Sequence, residues 1–98
     1  VNNFTGFPLK YYGRNEVYIL LFKEAISKRI YEICDKNKIT PNKLAELSAV
    51  APSTLQDMLS LKVSNPSSYV IHQICKTVKI TEKDFFDSDL FLEENIDD

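Results

Sequence analysis

Ninety-eight residues, 44% apolar and 27% charged, with two Gly and four Pro, suit one small domain with a modest core; a disordered, fibrous or large enzyme fold is excluded. The formal net charge is −2 but is unevenly spread: residues 1–81 carry eleven Lys/Arg against six Asp/Glu, a net +5, while residues 82–98 set Lys83 against eight acids, a net −7. The longest apolar run, residues 17–22, falls far short of the roughly 20 residues that a membrane span needs, and with no secretory leader pattern the expected location is cytoplasmic.

Residues 1–22 read as an N-terminal arm. The first sixteen hold both glycines and Pro8 and show no helical period. Residues 17–22 are β-branched and aromatic enough for a short strand, or they lead into a helix. From about Glu24 the pattern turns helical, with Ile26, Ile30, Ile33 and Cys34 on one stripe and Lys28, Arg29, Glu32, Asp35 and Lys36 on the other face. Asn37 and Lys38 end this helix. Thr40-Pro41 then starts a second one, with Thr as N-cap and Pro in the first turn; its Leu44 and Leu47 are expected to point inward. After a tight turn at Ala49, with Val50 filling the angle, Pro52 opens a third helix whose inner stripe is Leu55, Met58 and Leu59. Two short helices separated by so short a turn form a helix-turn-helix.

Residues 61–66 are a polar loop. Ser67 or Ser68 caps a fourth helix running to about Val78, with Ile71, Ile74, Cys75 and Val78 inside. Thr81 caps a short fifth helix, Asp84 sits at the capping-box position, and Phe85 and Phe86 are expected to anchor it in the core. Residues 88–98 read as an acidic tail with one apolar patch at residues 90–92. The domain proper is therefore expected at residues 23–87.

Cys34 and Cys75 are too far apart in sequence for a metal-ligand pair and too few for a disulfide framework, so both read as reduced core thiols. His72, the single histidine, lacks acids at ligand spacing. No phosphate-binding glycine loop and no nucleophile or metalloprotease motif is present. Accordingly no metal, no cofactor and no catalytic set is expected, and the chain is not read as an enzyme.

The order and spacing of "TPNKLAELS", "PSTL", "NP" and "ITEKDFF" resemble the phage repressor/Cro-type (XRE-like) helix-turn-helix DNA-binding family over about residues 26–87. The resemblance implies an all-α fold: a compact five-helix lambda-repressor-like domain whose second helix crosses the DNA backbone and whose third enters the major groove. The sequence departs from the family pattern at Ala49, where Gly is usual, at Pro52, where Gln is usual, at Ser60-Leu61 in place of Asn-Gly, and at Ser68, where an apolar residue is usual.

On the outer face of the third helix stand Ser53, Thr54, Gln56 and Asp57, the candidate base-reading residues. Gln pairs bidentately with adenine, Ser and Thr serve several base edges, and Asp accepts from cytosine N4. Candidate phosphate contacts are Asn42 and Lys43 at the start of the second helix and Lys62, Ser64 and Asn65 after the third. The expected partner is double-stranded DNA. A single domain covers one half-site, so a homodimer reading a pseudo-palindrome with half-sites about 34 Å apart is expected; residues 17–22 and 90–92 are its candidate surfaces, unless they pack within the chain. The expected function is a sequence-specific transcriptional regulator, a repressor of phage or mobile-element type. The competing reading keeps the fold but binds a protein partner, as an antitoxin-like module does.

Overall fold

The computed structural model of the chain describes Tyr11–Tyr12, Val17–Tyr18 and residues 20–98. Five α-helices come in succession: α1 (Phe22–Asn37), α2 (Pro41–Leu47), α3 (Pro52–Leu59), α4 (Ser68–Val78) and α5 (Glu82–Phe86). Single-turn 3-10 helices at Asp89–Phe91 and Glu93–Asn95 come last. Ahead of α1, β1 (Tyr11–Tyr12) and β2 (Val17–Tyr18) pair antiparallel, Tyr11 opposite Tyr18 and Tyr12 opposite Val17. Of the stretch read as a strand or the lead into a helix, Val17–Tyr18 is a strand and α1 begins at Phe22. Residues 1–10, 13–16 and 19 of the expected arm lie outside the described residues.

Helix starts obey the sequence signals. The side-chain oxygen of Thr40 accepts from the Lys43 N–H (3.1 Å), that of Ser67 from Val70 (3.2 Å) and that of Thr81 from Asp84 (3.0 Å), with the Asp84 carboxylate answering the Thr81 N–H at 3.3 Å. Each satisfies a donor that the helix itself leaves orphaned. Helix ends use another device. Among the described residues Lys38, Ala49, Leu61 and Lys79 have φ between 57° and 69°. In each case the next residue's N–H reaches back to a carbonyl of the last turn: Ile39 to Cys34, Val50 to Ala45, Lys62 to Asp57 and Ile80 to Cys75. These are Schellman endings, normally built on Gly.

The main core joins Ile26, Ile30 and Ile33 of α1 to Leu44, Leu55, Met58 and Leu59 of the helix-turn-helix, to Ile71, Ile74 and Cys75 of α4 and to Phe85. Arg29 braces α5, donating from Nε to the Phe85 carbonyl (2.6 Å) and from Nη2 to that of Asp84 (3.0 Å). A second, smaller cluster joins Leu20, Ala25 and Leu90, with Phe91 and Ile96 against it. Backbone bonds tie it together: the Leu20 N–H donates to the Asn95 carbonyl and the Asp97 N–H to the Leu20 carbonyl, both at 2.8 Å. The acidic segment therefore folds back on the start of α1, and there the Asp98 carboxylate accepts from the Phe22 N–H at 2.7 Å.

Several expectations change. Lys28, assigned to the polar face, is 2% exposed, because the second cluster closes a further side of α1. Leu47 is 53% exposed, since Leu44, Ala45 and Ser48 already fill the inner side of the short α2. Phe85 is fully buried but Phe86 is 37% exposed. Leu20 and Leu90, from the two candidate dimer surfaces, pack on one another. His72 does meet an acid: folding brings Glu82 to its Nδ1 at 2.6 Å, and this hydrogen bond lowers the Glu82 pKa. Both thiols are buried, and burial pushes each up to about 11.

Candidate nucleic-acid interface

The turn between α2 and α3 occupies residues 48–51. Ser48 closes α2, Ala49 takes the left-handed conformation at φ 57°, and buried Val50 fills the angle. Ala51 precedes α3 without offering a capping side chain, and Pro52 sits in the first turn. The positive end of the α3 dipole is therefore left facing outward without a side-chain cap.

On α3, buried Leu55, Met58 and Leu59 fix which face looks out. Ser53, Thr54 and Gln56 are exposed on that outer face, and Asp57 is half-buried. Asp57 already has a cationic neighbour, the Lys62 ammonium at 4.0 Å. A residue assigned to base reading and one assigned to phosphate thus meet each other in the free protein. Both side chains keep at least half their surface in water, so the pair is weak.

Asn42 and Lys43 are exposed on the first turn of α2. The Lys43 N–H is committed to Thr40, which leaves the ammonium for an anion; in the free protein it sits 3.4 Å from Glu46. Lys62, Ser64 and Asn65 are exposed in the loop between α3 and α4. The structure brings together only Asp57 and Lys62 as a contacting pair. The other candidates share exposure and the flanks of one helix.

Four residues that brace this region escaped the sequence reading. Ser27 of α1 donates from Oγ to the Leu59 carbonyl (2.9 Å), and Lys23 from Nζ to the Leu61 carbonyl (3.1 Å), so α1 holds the C-terminal end of α3. Gln73 of α4 donates from Nε2 to the Ser48 carbonyl (3.0 Å), and the Thr77 hydroxyl lies 2.7 Å from that of Ser48, so α4 holds the turn. The available signal was a polar pair four residues apart beside the apolar stripe of α4, which by itself does not name a partner. Among the described residues no helix is long and apolar enough to cross a membrane, and no group of three or more His, Cys, Asp or Glu is placed to hold a metal ion.

A family model described as a Cro/C1-type HTH DNA-binding domain matches residues 29–89 of the chain. No curated protein and no solved structure matches it.

Proposed function

Since the chain belongs to the Cro/C1-type helix-turn-helix DNA-binding family, we propose that it is a sequence-specific transcriptional regulator, a repressor that reads a pseudo-palindromic operator with α3 in the major groove. The observation that carries this reading is the two-sided character of α3. Leu55, Met58 and Leu59 are buried, while Ser53, Thr54 and Gln56 stand free on the opposite face. Gln56 is assigned the principal base contact, with Ser53, Thr54 and Asp57 beside it. Lys43 and Asn42 on one flank, and Lys62, Ser64 and Asn65 on the other, are assigned to phosphates that set the register.

Two protomers are needed for a two-half-site operator. We assign their contact to the aromatic surface that remains after Leu20 and Leu90 are buried. There Phe22 and Phe86 pack on Phe91, at ring separations of 6.1 and 4.9 Å, and Phe22, Phe86 and Leu92 stay exposed. The same surface favours the second reading, a module that docks a different protein.

Selection from a pool of random duplex DNA at moderate salt tests the proposal. Enrichment of a palindromic motif is the expected result, and its spacing reports the protomer arrangement. A folded protein that enriches nothing would overturn the DNA-reading proposal and leave the protein-docking reading.

A further inference from the structure

Ser48, Gln73 and Thr77 form a closed polar ring between the helix-turn-helix turn and α4. The Thr77 hydroxyl has a single hydrogen, and it goes to the Gln73 carbonyl at 3.1 Å. Thr77 Oγ1 is then the acceptor in its 2.7 Å contact with Ser48, whose own hydroxyl must donate. The Gln73 amide returns the connection, donating to the Ser48 carbonyl at 3.0 Å. Thr77 both accepts and donates through one hydroxyl, while Gln73 and Ser48 each take part through a side chain and a separate backbone carbonyl. Ser48 is 2% exposed, and its carbonyl belongs to the last turn of α2, where no intrahelical donor is available.

The ring sits at a sensitive place. Ser48 is followed by Ala49, held at φ 57° where a Cβ is unfavourable, and then by the first residues of α3. A turn carrying that strain keeps its angle only if something outside it over-determines the geometry. Leu47, Ser48, Ala49, Gln73, Lys76 and Thr77 also line a surface groove of about 240 Å³. Side chains there can be changed without cutting into the core.

We infer that Gln73 and Thr77 are positioning residues for DNA reading: through Ser48 they fix the turn angle, and with it the orientation in which α3 presents Gln56 to the bases. This rests on the DNA-reading proposal above. Neither residue need touch DNA. Their contribution falls on discrimination, because non-specific binding depends on phosphate charge rather than on the exact aim of one helix.

The test compares full-length wild type with Gln73→Met, Thr77→Val and the hydroxyl-retaining Thr77→Ser. Two quantities are read: affinity for the selected operator relative to a scrambled duplex at one salt concentration, and residue-resolved amide exchange of the free protein. Gln73→Met and Thr77→Val are expected to lower the affinity ratio about three- to tenfold, the equivalent of one hydrogen bond, with scrambled-duplex binding unchanged and Thr77→Ser close to wild type. Exchange at Ala49 and Val50 is expected to quicken while α1 and α5 amides keep their rates. An unchanged ratio, or exchange that quickens evenly through all helices, would overturn the inference. If wild type selects no operator, the DNA-reading proposal fails, and the exchange pattern alone decides whether the ring holds the turn.

Discussion

Gln56 and Lys43 are assigned different jobs, and their variants should fail differently. Gln56→Ala is expected to cost about 1–3 kcal/mol on the operator and to relax preference at one base pair. Lys43→Ala is expected to weaken operator and random duplex alike and to flatten the salt dependence by about one unit of log–log slope. Titrations at three salt concentrations separate the two; equal losses on both duplexes for Gln56→Ala would reject its place on the reading face. Lys28 concerns stability instead. Burial lowers its pKa from 10.5 to about 8, with Glu32 pushing the other way. The unfolded chain therefore keeps this proton over an interval in which the folded one has lost it, so the Lys28 contribution makes stability rise as pH climbs from about 8. The raised pKa values of Cys34, Cys75 and Tyr31 act in the opposite sense, the two thiols from about pH 8 upward. The urea midpoint of wild type should gain on that of Lys28→Met from pH 7 to 9, the thiol contributions being common to both; parallel curves would reject the assignment.

Three of the five helices start on a capping side-chain oxygen, and four end on a left-handed residue. The starts at Thr40, Ser67 and Thr81 were legible because a capping oxygen is a chemical feature of one residue. The ends were not, because Lys38, Ala49, Leu61 and Lys79 give no compositional sign of a left-handed backbone. At three of the four, the conformation is imposed by the neighbour on the C-terminal side: Ile39, Val50 and Ile80 are drawn to the core, and the chain must turn sharply to place them. Leu61 is the instructive exception, since the next residue is the exposed Lys62 and Leu61 is not packed with either core cluster. Leu61→Gly should relieve the left-handed penalty at little packing cost. The expected gain is about 0.5–1 kcal/mol, a rise of a few degrees in thermal midpoint. A lowered midpoint would show that the Leu61 side chain contributes more than its conformation costs.

For the molecule as a whole, the acidic segment changes meaning. By sequence it is a tail; in the structure it carries Leu90 into a cluster with Leu20 and hydrogen-bonds both sides of that residue. Deleting residues 88–98 would remove buried Leu90 and uncover Leu20 and Ala25, and is expected to cost about 3–5 kcal/mol, a large share of what a domain this size possesses. Thermal unfolding of the truncated chain measures this, and an unchanged midpoint would mean that the segment is dispensable for the fold. The electrostatic influence of the segment on DNA binding is better probed by neutralising the exposed Glu93, Glu94 and Asp97, which leaves the apolar contacts in place.

Amino-acid order alone dictates the succession of the five helices, the inner stripe of each from α2 to α5 in the main, and the polar outer face of α3. These come from 3.6-residue periodicity and from capping chemistry, both local to a few neighbouring residues. Folding in three dimensions settles that Lys28 is buried, that Leu47 and Phe86 are exposed, and that residues 88–98 close a second cluster. It also settles that Gln73 and Thr77 grip the turn before α3, across 25 and 29 positions of chain. Each of these depends on distant partners or on which faces two elements present to one another. Such pairings come from packing, and no local pattern encodes them.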